Sequence, residues 1–249
     1  MKSTPDYMHT DRHTLAGHTI FMAFAMLTLL AMFTLCRFGL YRYNIDLAST
    51  IPASEVLTSF FTGVRFDLMV VCILSLPLLA GCFFPLSIRL RKYLVLWLAC
   101  APSVSIFFCI AELDFYREFH QRLNSLVFEY IRQDPATVIS MLWNGFPVFR
   151  YLVLWVFFSW LMYRFYLLVD HASCLLVARY LPKRFSAGIG VRVLVFFLAL
   201  VFIVIGARGT LRQGPPLRWG DAFHSQNLFA NHLGLNGIFT LYKAASKGN

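Results

Sequence analysis

Five long apolar segments constrain the fold of this 249-residue chain more than any other feature of its sequence. Each approaches the roughly 20 residues that a helix needs to cross the hydrocarbon core of a bilayer. Charged residues make up only 14% of the chain, well below the roughly 25% of a soluble domain. The sequence therefore predicts an all-α integral membrane protein with five transmembrane helices. The predicted spans within a membrane domain of residues 1–207 are about 19–36, 62–84, 93–111, 151–169 and 190–207.

The basic residues predict an orientation for these spans. The net charge of +10 comes from Lys and Arg that lie between the apolar segments, without a long basic block, so the sequence does not favour nucleic-acid binding. Taken together, the segments before the first span, between the second and third spans, and between the fourth and fifth hold nine Lys and Arg in 49 positions, whereas the other three segments hold eleven in 100. By the positive-inside rule we predict a cytoplasmic N-terminus and a C-terminus on the outer, periplasmic side of a bacterial inner membrane.

Two segments outside the predicted spans contain further helical patterns. In residues 112–150 apolar side chains recur at helical spacing, and Asp134-Pro135 has the N-cap and first-turn pattern of a new helix. We expect amphipathic helices there that lie on the outer leaflet. Residues 208–249 begin with several Gly and Pro and continue into an amphipathic stretch, 227–243, with interruptions at Gly234 and Gly237. We expect this second segment to be a periplasmic linker.

Common patterns of enzymatic chemistry do not occur in the sequence. It contains no G-x-S-x-G, H-E-x-x-H, P-loop or G-x-G-x-x-G motif. The six cysteines form no C-x-x-C pair, and among the seven histidines only His9 and His13 have a four-residue spacing. This pattern predicts neither a disulfide framework nor a zinc site. We therefore assign no catalytic residue and no metal ligand.

Arg65 and Asp67 are the ionisable residues that stand out within an apolar segment, and two interpretations compete. If the helix begins near Phe66, the pair marks the outer membrane interface. If residues 56–84 form one long helix, the pair lies several turns in, and each side chain needs a partner elsewhere, because positions two apart point about 200° apart. Arg65 is the better candidate for binding lipid phosphate, since its guanidinium fork suits phosphate oxygens.

Further arginines are candidates for binding anionic lipid headgroups at the outer surface. The alternative for each is a solvated or membrane-anchoring cation. Two acidic residues at the end of the third span, Glu112 and Asp114, are interpreted as interfacial charges rather than as an acid–base pair. The full set of headgroup candidates is Arg65, Asp67, Arg117, Arg122, Arg208 and Arg212.

Three stretches together carry a resemblance to a known family. They are Gly63-Val-Arg-Phe-Asp-Leu68; Glu112-Leu-Asp-Phe-Tyr with Arg122-Leu-Asn and Glu129-Tyr-Ile; and Arg208-Gly-Thr-Leu-Arg with Pro216-Leu-Arg-Trp-Gly-Asp-Ala-Phe and Asn227-Leu-Phe-Ala-Asn-His-Leu-Gly-Leu-Asn-Gly-Ile-Phe. The ensemble resembles the N-terminal membrane region of bacterial lipoteichoic acid synthase-like proteins, which are sulfatase-family phosphoglycerol transferases, and the Gram-negative members most of all.

The resemblance implies that five spans and a linker precede an outer domain of the alkaline-phosphatase/sulfatase type. In the family that domain carries a Thr nucleophile and a divalent metal, often manganese. It transfers phosphoglycerol, or in relatives phosphoethanolamine, from a phospholipid to a glycan or glycolipid of the cell envelope. Residue 249 lies about where such a domain would begin, so the resemblance implies a transferase parent but no nucleophile, metal ligand or cofactor in this chain.

We therefore expect a membrane-anchoring and lipid-presenting domain. Its expected partners are anionic phospholipids of the outer leaflet and a catalytic domain that is either covalently continuous or separate. A second hypothesis is a stand-alone subunit of envelope assembly that relies on a partner for chemistry. A third hypothesis, motivated by Arg65 and Asp67, is a small transporter.

Overall fold

The computed structural model describes residues 14–84, 91–123, 134–180, 187–211 and 213–247. These residues form helices and connecting turns, and they include no β-strand. The α-helices in chain order are α1 (Leu15–Tyr43), α2 (Ile45–Ala48), α3 (Ala53–Leu74), α4 (Leu76–Phe83), α5 (Arg91–Phe119), α6 (Pro135–Gly145), α7 (Val148–Tyr180), α8 (Ile189–Arg208), α9 (Leu228–Leu233) and α10 (Gly237–Lys247).

Five of these helices, α1, α3, α5, α7 and α8, are long and apolar enough to cross a membrane. This result confirms the all-α, five-span prediction. Four of the five helices extend beyond their predicted spans at both ends, because hydropathy detects only the apolar part of a helix, whereas capping decides where it ends. The Thr14 side chain accepts a hydrogen bond from Gly17 N–H at 3.1 Å and caps the start of α1. Gly209, with a φ of 69°, ends α8 in the left-handed conformation.

The second span differs from its predicted extent. It begins at Ala53, and a break at Ser75 separates α3 from α4. Pro77 lies in the first turn of α4 and has no N–H to donate to the preceding turn, which is the reason for the break. The interpretation in which this helix begins near Phe66 is therefore wrong, and Arg65 and Asp67 lie within a continuous helix.

Three of the long helices form the centre of the bundle. The most apolar windows of α1, α3 and α5 are 39%, 44% and 39% buried, whereas those of α7 and α8 are 11% buried each. The C-terminal ends of α1, α5 and α8 lie with the N-terminal ends of α3 and α7. We call this the tail end of the bundle, because residues 213–247 fold back onto it, and we call the other the opposite end.

Close helix contacts hold the bundle together. Phe21, Phe66, Leu78 and Leu98 have no exposed surface and belong to one hydrophobic core. Helix α8 approaches α3 so closely that a Cβ on Gly206 would lie 2.3 Å from Cys72 Sγ. Glycine at this position lets the two backbones pack directly, as small residues do between membrane helices.

The segments outside the five long helices agree with the prediction in part. Asp134 caps α6 by accepting a hydrogen bond from Thr137 N–H at 3.1 Å, as the Asp-Pro pattern predicts. The stretch 227–243 forms two helices with the break between Leu233 and Gly237, also as predicted. In contrast, residues 112–119 belong to α5 and not to a separate helix, and residues 124–133 lie outside the described part of the chain.

Candidate functional site

An ion pair between α1 and α3 is buried at the tail end of the bundle. The Arg37 guanidinium donates two hydrogen bonds to the Asp67 carboxylate, at 2.5 and 2.9 Å. Asn236 of the tail donates a third hydrogen bond to this carboxylate, at 2.8 Å. Gly63 lies one turn before Asp67 and makes room for the guanidinium, since a Cβ there would lie 2.1 Å from Arg37 Cζ. The buried carboxylate of Asp67 is thus paired with a cation and hydrogen-bonded on both oxygens.

A second buried ion pair forms at the end of α5. Arg122 Nη1 lies 2.6 Å from Glu112 Oε2, and both side chains are 4% exposed. A Cβ on Gly237 would lie 2.8 Å from the same carboxylate oxygen, so α10 begins directly against Glu112. The interpretation of Glu112 as a solvated interfacial charge is wrong, because the folded tail covers it.

The two arginines also bind the backbone of the tail. Arg37 Nε donates to the Leu233 carbonyl oxygen at 2.8 Å, and Arg122 Nε donates to the His232 carbonyl oxygen at 3.0 Å. Both guanidinium groups reach the Leu235 carbonyl oxygen, at 3.4 Å from Arg37 and 3.0 Å from Arg122. His232 and Leu233 are the last two residues of α9, and Leu235 follows it, so these carbonyls lie at the C-terminal end of the helix, where the regular helical N–H partners run out. The His232 carbonyl oxygen also accepts a hydrogen bond from Leu235 N–H at 3.1 Å. We call Arg37, Asp67, Glu112 and Arg122 the two-arginine clamp.

The electrostatics of the clamp favour fixed docking of the tail. Its two cations and two anions neutralise each other, so the buried cluster carries no net charge. Such pairs stabilise a particular arrangement rather than contributing a large net free energy, because desolvation offsets much of the Coulombic attraction. Removing one partner is costly, since the other charge then stays buried alone.

His232 adds a pH-sensitive contact beside the clamp. Its Nδ1 lies 3.0 Å from the hydroxyl of Tyr116, which can donate to a neutral imidazole. Burial, with a smaller contribution from the Arg122 guanidinium, lowers the pKa of His232 to about 4. The imidazole is therefore neutral near pH 7, and with its proton on Nε2 it accepts a hydrogen bond from the Tyr116 hydroxyl at Nδ1.

A small cavity of about 20 Å³ lies among the clamp residues. A space of this size holds about one water molecule. Its lining includes Cys36, Cys109 and Glu112. Glu112 Oε1 has no hydrogen-bond partner among the described residues, so the carboxylate keeps one acceptor on the cavity side.

The predicted headgroup candidates separate into two groups. Asp67 and Arg122 are buried in the clamp. Arg65, Arg117 and Arg208 are exposed at the tail end. Arg65 Nε and Nη2 lie 3.4 Å from the Gly209 carbonyl oxygen, Arg117 lies 5.4 Å from the centre of the Tyr43 ring, and Arg208 donates to the Gly214 carbonyl oxygen at 2.7 Å. Arg212 lies outside the described residues.

Sequence reasoning missed Arg37 of the two-arginine clamp and Asn236, which donates to Asp67 beside it. Arg37 directly follows an apolar segment, so by sequence it resembles a basic residue that sets the orientation of a membrane helix. Asn236 resembles part of a turn. One signal was present: Gly63 and Asp67 are four residues apart, so they share a helix face on which a bulky cation could pack. The partner helix for that face depends on how α1 and α3 pack, which hydropathy does not encode.

A second buried polar cluster pins the opposite end of the bundle. Arg91 of α5 pairs with Asp170 of α7 at 2.5 Å and donates to Ser173 at 2.7 Å. Its guanidinium also lies 4.2 Å from the centre of the Phe21 ring in α1. The three helices α1, α5 and α7 are therefore joined by polar contacts at this end.

Comparison with known proteins adds no relative, since no family model, no curated protein and no solved structure matches the chain. The family resemblance in the sequence therefore stays a prediction.

Proposed function

We propose that this chain is a membrane anchor that holds its C-terminal tail rigidly and presents phospholipid headgroups beside it. In the proposal, the anchor serves a phosphoglycerol- or phosphoethanolamine-transferring unit of the sulfatase-like, lipoteichoic acid synthase-related type, at the outer face of a bacterial inner membrane. That unit either continues the chain or binds to it. The chemistry, with its divalent metal, belongs to that unit.

The two-arginine clamp is the observation that carries this proposal. A tail that only linked two bodies would need no buried charges. Here two buried guanidinium groups bind three backbone carbonyls of the tail, those of His232, Leu233 and Leu235. The segment that joins α9 to α10 is thereby held at a defined position on the bundle.

Exposed arginines at the same end support the lipid-presenting part of the proposal. Arg65, Arg117 and Arg208 lie around the docked tail with their guanidinium groups at the surface. Guanidinium groups bind phosphate oxygens through paired N–H donors. Each basic residue near a membrane surface adds about 1 kcal/mol of attraction to anionic lipid. The amphipathic helix α6, which buries none of its residues, is proposed to lie on the same leaflet.

Lipid retention tests the headgroup assignment. The purified chain is exchanged into detergent with equal amounts of phosphatidylglycerol and phosphatidylcholine, and the lipids that remain bound are counted by native mass spectrometry. Arg65→Gln and Arg117→Gln should each reduce retained phosphatidylglycerol about fivefold, since about 1 kcal/mol corresponds to that factor. Arg179→Gln is the matched control, because Arg179 is an exposed arginine in the last turn of α7 at the opposite end. Equal retention in all three variants would refute the assignment.

The absence of chemistry in this chain is tested directly. We expect the purified chain, with added manganese, neither to hydrolyse phosphatidylglycerol nor to transfer its headgroup. Release of diacylglycerol above a no-protein control would contradict the proposal. Co-purification of a separate hydrolase-like chain would favour the stand-alone-subunit hypothesis over a covalently continuing catalytic domain.

A further inference from the structure

Two cysteines from different helices lie side by side next to the clamp. Cys36 of α1 directly precedes Arg37, and Cys109 of α5 lies one turn before Glu112. Both line the cavity of the two-arginine clamp. The Cys36 and Cys109 side chains also lie close enough to interact directly with each other. The thiols are therefore neighbours across the α1–α5 interface, between the two buried ion pairs.

Three of the other four cysteines occupy different surroundings. Cys72 packs against Gly206 of α8, Cys82 is buried in α4, and Cys100 is exposed on the outside of α5. All six cysteines are free thiols in the structure. These three cysteines are explained by the packing of a small apolar side chain. Two adjacent thiols beside a polar cavity can in addition undergo thiol–disulfide exchange.

We propose that Cys36 and Cys109 are a thiol pair that forms a reversible disulfide joining α1 to α5. In the reaction, one thiolate attacks the disulfide of an oxidising carrier and forms a mixed disulfide. The second thiolate then displaces the carrier. The Cys36–Cys109 bond forms, the carrier disulfide breaks, and the carrier leaves as a dithiol with the two electrons and two protons that the cysteines lose.

The bond would act on the clamp through its position. It would join the two helices that supply Arg37 and Glu112, at the level of these side chains. A covalent link there limits how far α1 and α5 can separate. The tail binds Arg37 and Arg122 together, so its docking depends on the distance between these two side chains. We therefore expect amide hydrogens of residues 228–240 to exchange more slowly in the oxidised chain than in the reduced chain.

Formation of the disulfide in the cell rests on the proposed function, because it needs the tail end to face an oxidising compartment such as the periplasm. The proximity of the thiols does not depend on that orientation. The two parts can therefore be tested separately, with the same readout.

Counting free thiols tests the proximity. The detergent-purified chain is treated with a disulfide donor such as oxidised dithiothreitol, or with copper phenanthroline. It is then denatured and labelled with a maleimide, and the number of labels is read from its mass by mass spectrometry. The wild type has six thiols and should take six labels before oxidation and four afterwards, as a monomer on a non-reducing gel. Peptide mapping should recover a Cys36–Cys109 cross-link that a reductant removes.

Two variants make the assignment specific. Cys36→Ser should take five labels with or without the oxidant, because Cys109 loses its partner. Cys100→Ser, the matched control on the same helix as Cys109, should drop from five labels to three. Six labels on the oxidised wild type, or a loss of two labels that persists in Cys36→Ser, would overturn the proposal.

The same count on cells tests the orientation. Thiols are blocked at the moment of lysis, so the labels report the state of the pair in the membrane. Four labels support both the disulfide and an outward-facing tail end. Six labels from cells, combined with four after oxidation of the purified chain, would keep the thiol pair but overturn the predicted outward orientation of the tail end.

Discussion

Replacing Arg37 by Met tests whether the clamp holds the tail. The substitution leaves a long side chain in place but removes both hydrogen bonds to Asp67 and the hydrogen bond to the Leu233 carbonyl oxygen. It also removes the longer contact, at 3.4 Å, with the Leu235 carbonyl oxygen. Asp67 keeps only the hydrogen bond from Asn236. Its carboxylate stays buried without a cation, in a helix that is surrounded by apolar side chains.

The expected cost follows from these contacts. Breaking a buried ion pair by removing one partner costs about 3–5 kcal/mol. The lost hydrogen bond to the tail adds about 1 kcal/mol, whereas the remaining Asn236 contact offsets part of the total. We therefore expect Arg37→Met to lower the free energy of unfolding by about 4 kcal/mol. The double variant Arg37→Met/Asp67→Leu removes both charges and should recover at least about 2 kcal/mol of this loss.

Reversible unfolding in mixed micelles, followed by circular dichroism, measures these free energies. Hydrogen exchange at residues 228–240 reports whether the tail has left the bundle. Arg42→Met is the matched control, because Arg42 is an exposed arginine in the last turn of the same helix and should change stability by less than about 1 kcal/mol. If the double variant is no more stable than Arg37→Met, the reasoning that the cost comes from an unpaired buried carboxylate is refuted.

Three further predictions follow from close contacts and from one titration. Gly237→Ala should weaken tail docking by about 1–3 kcal/mol, since its Cβ would lie 2.8 Å from Glu112 Oε2, and hydrogen exchange of α10 measures it. Gly206→Ala should lower the unfolding free energy by a similar amount, because its Cβ would lie 2.3 Å from Cys72 Sγ. Tail docking should weaken as the pH falls from 6.5 towards 4, because the unfolded His232 binds a proton in that range and the folded one, with its pKa lowered to about 4, does not. The loss is at most about 3 kcal/mol and is read from exchange of the tail at each pH.

Each of these predictions has a matched control. Gly190→Ala is the control for both glycine variants, since a Cβ there meets nothing within 4 Å, and it should be neutral or slightly stabilising. Adding Cys72→Ala to Gly206→Ala should restore part of the lost stability if that contact is the cause. His232→Gln should flatten the pH dependence, because Glu112 and Arg122, the other charges near the imidazole, are paired with each other. A pH dependence that survives in His232→Gln would assign it to another group.

More of the helical bundle than of the two-arginine clamp could be predicted from the sequence. The Asp134 cap of α6 and the break between α9 and α10 were predictable, because both depend on residues close together in the chain. Asp67 was recognised as needing a partner outside its own helix, since an isolated charge within an apolar helix is costly. Its partner Arg37 was not identified, because 30 residues separate them and several cations were equally available by sequence.

Hydropathy along the chain was enough to predict that it forms five long apolar helices. That property depends on the solvent, because apolar segments of this length leave water and satisfy their backbone hydrogen bonds within a helix. The tertiary structure alone decided which charges meet. An arginine and a carboxylate can be solvated at a surface or paired in a buried clamp. Which of the two occurs here depends on whether the tail folds back and excludes water from Glu112, Arg122 and the Arg37–Asp67 pair. That choice depends on shape, through glycines such as Gly63 and Gly237 that let backbone and guanidinium groups approach closely, and shape is a property of the packed helices together.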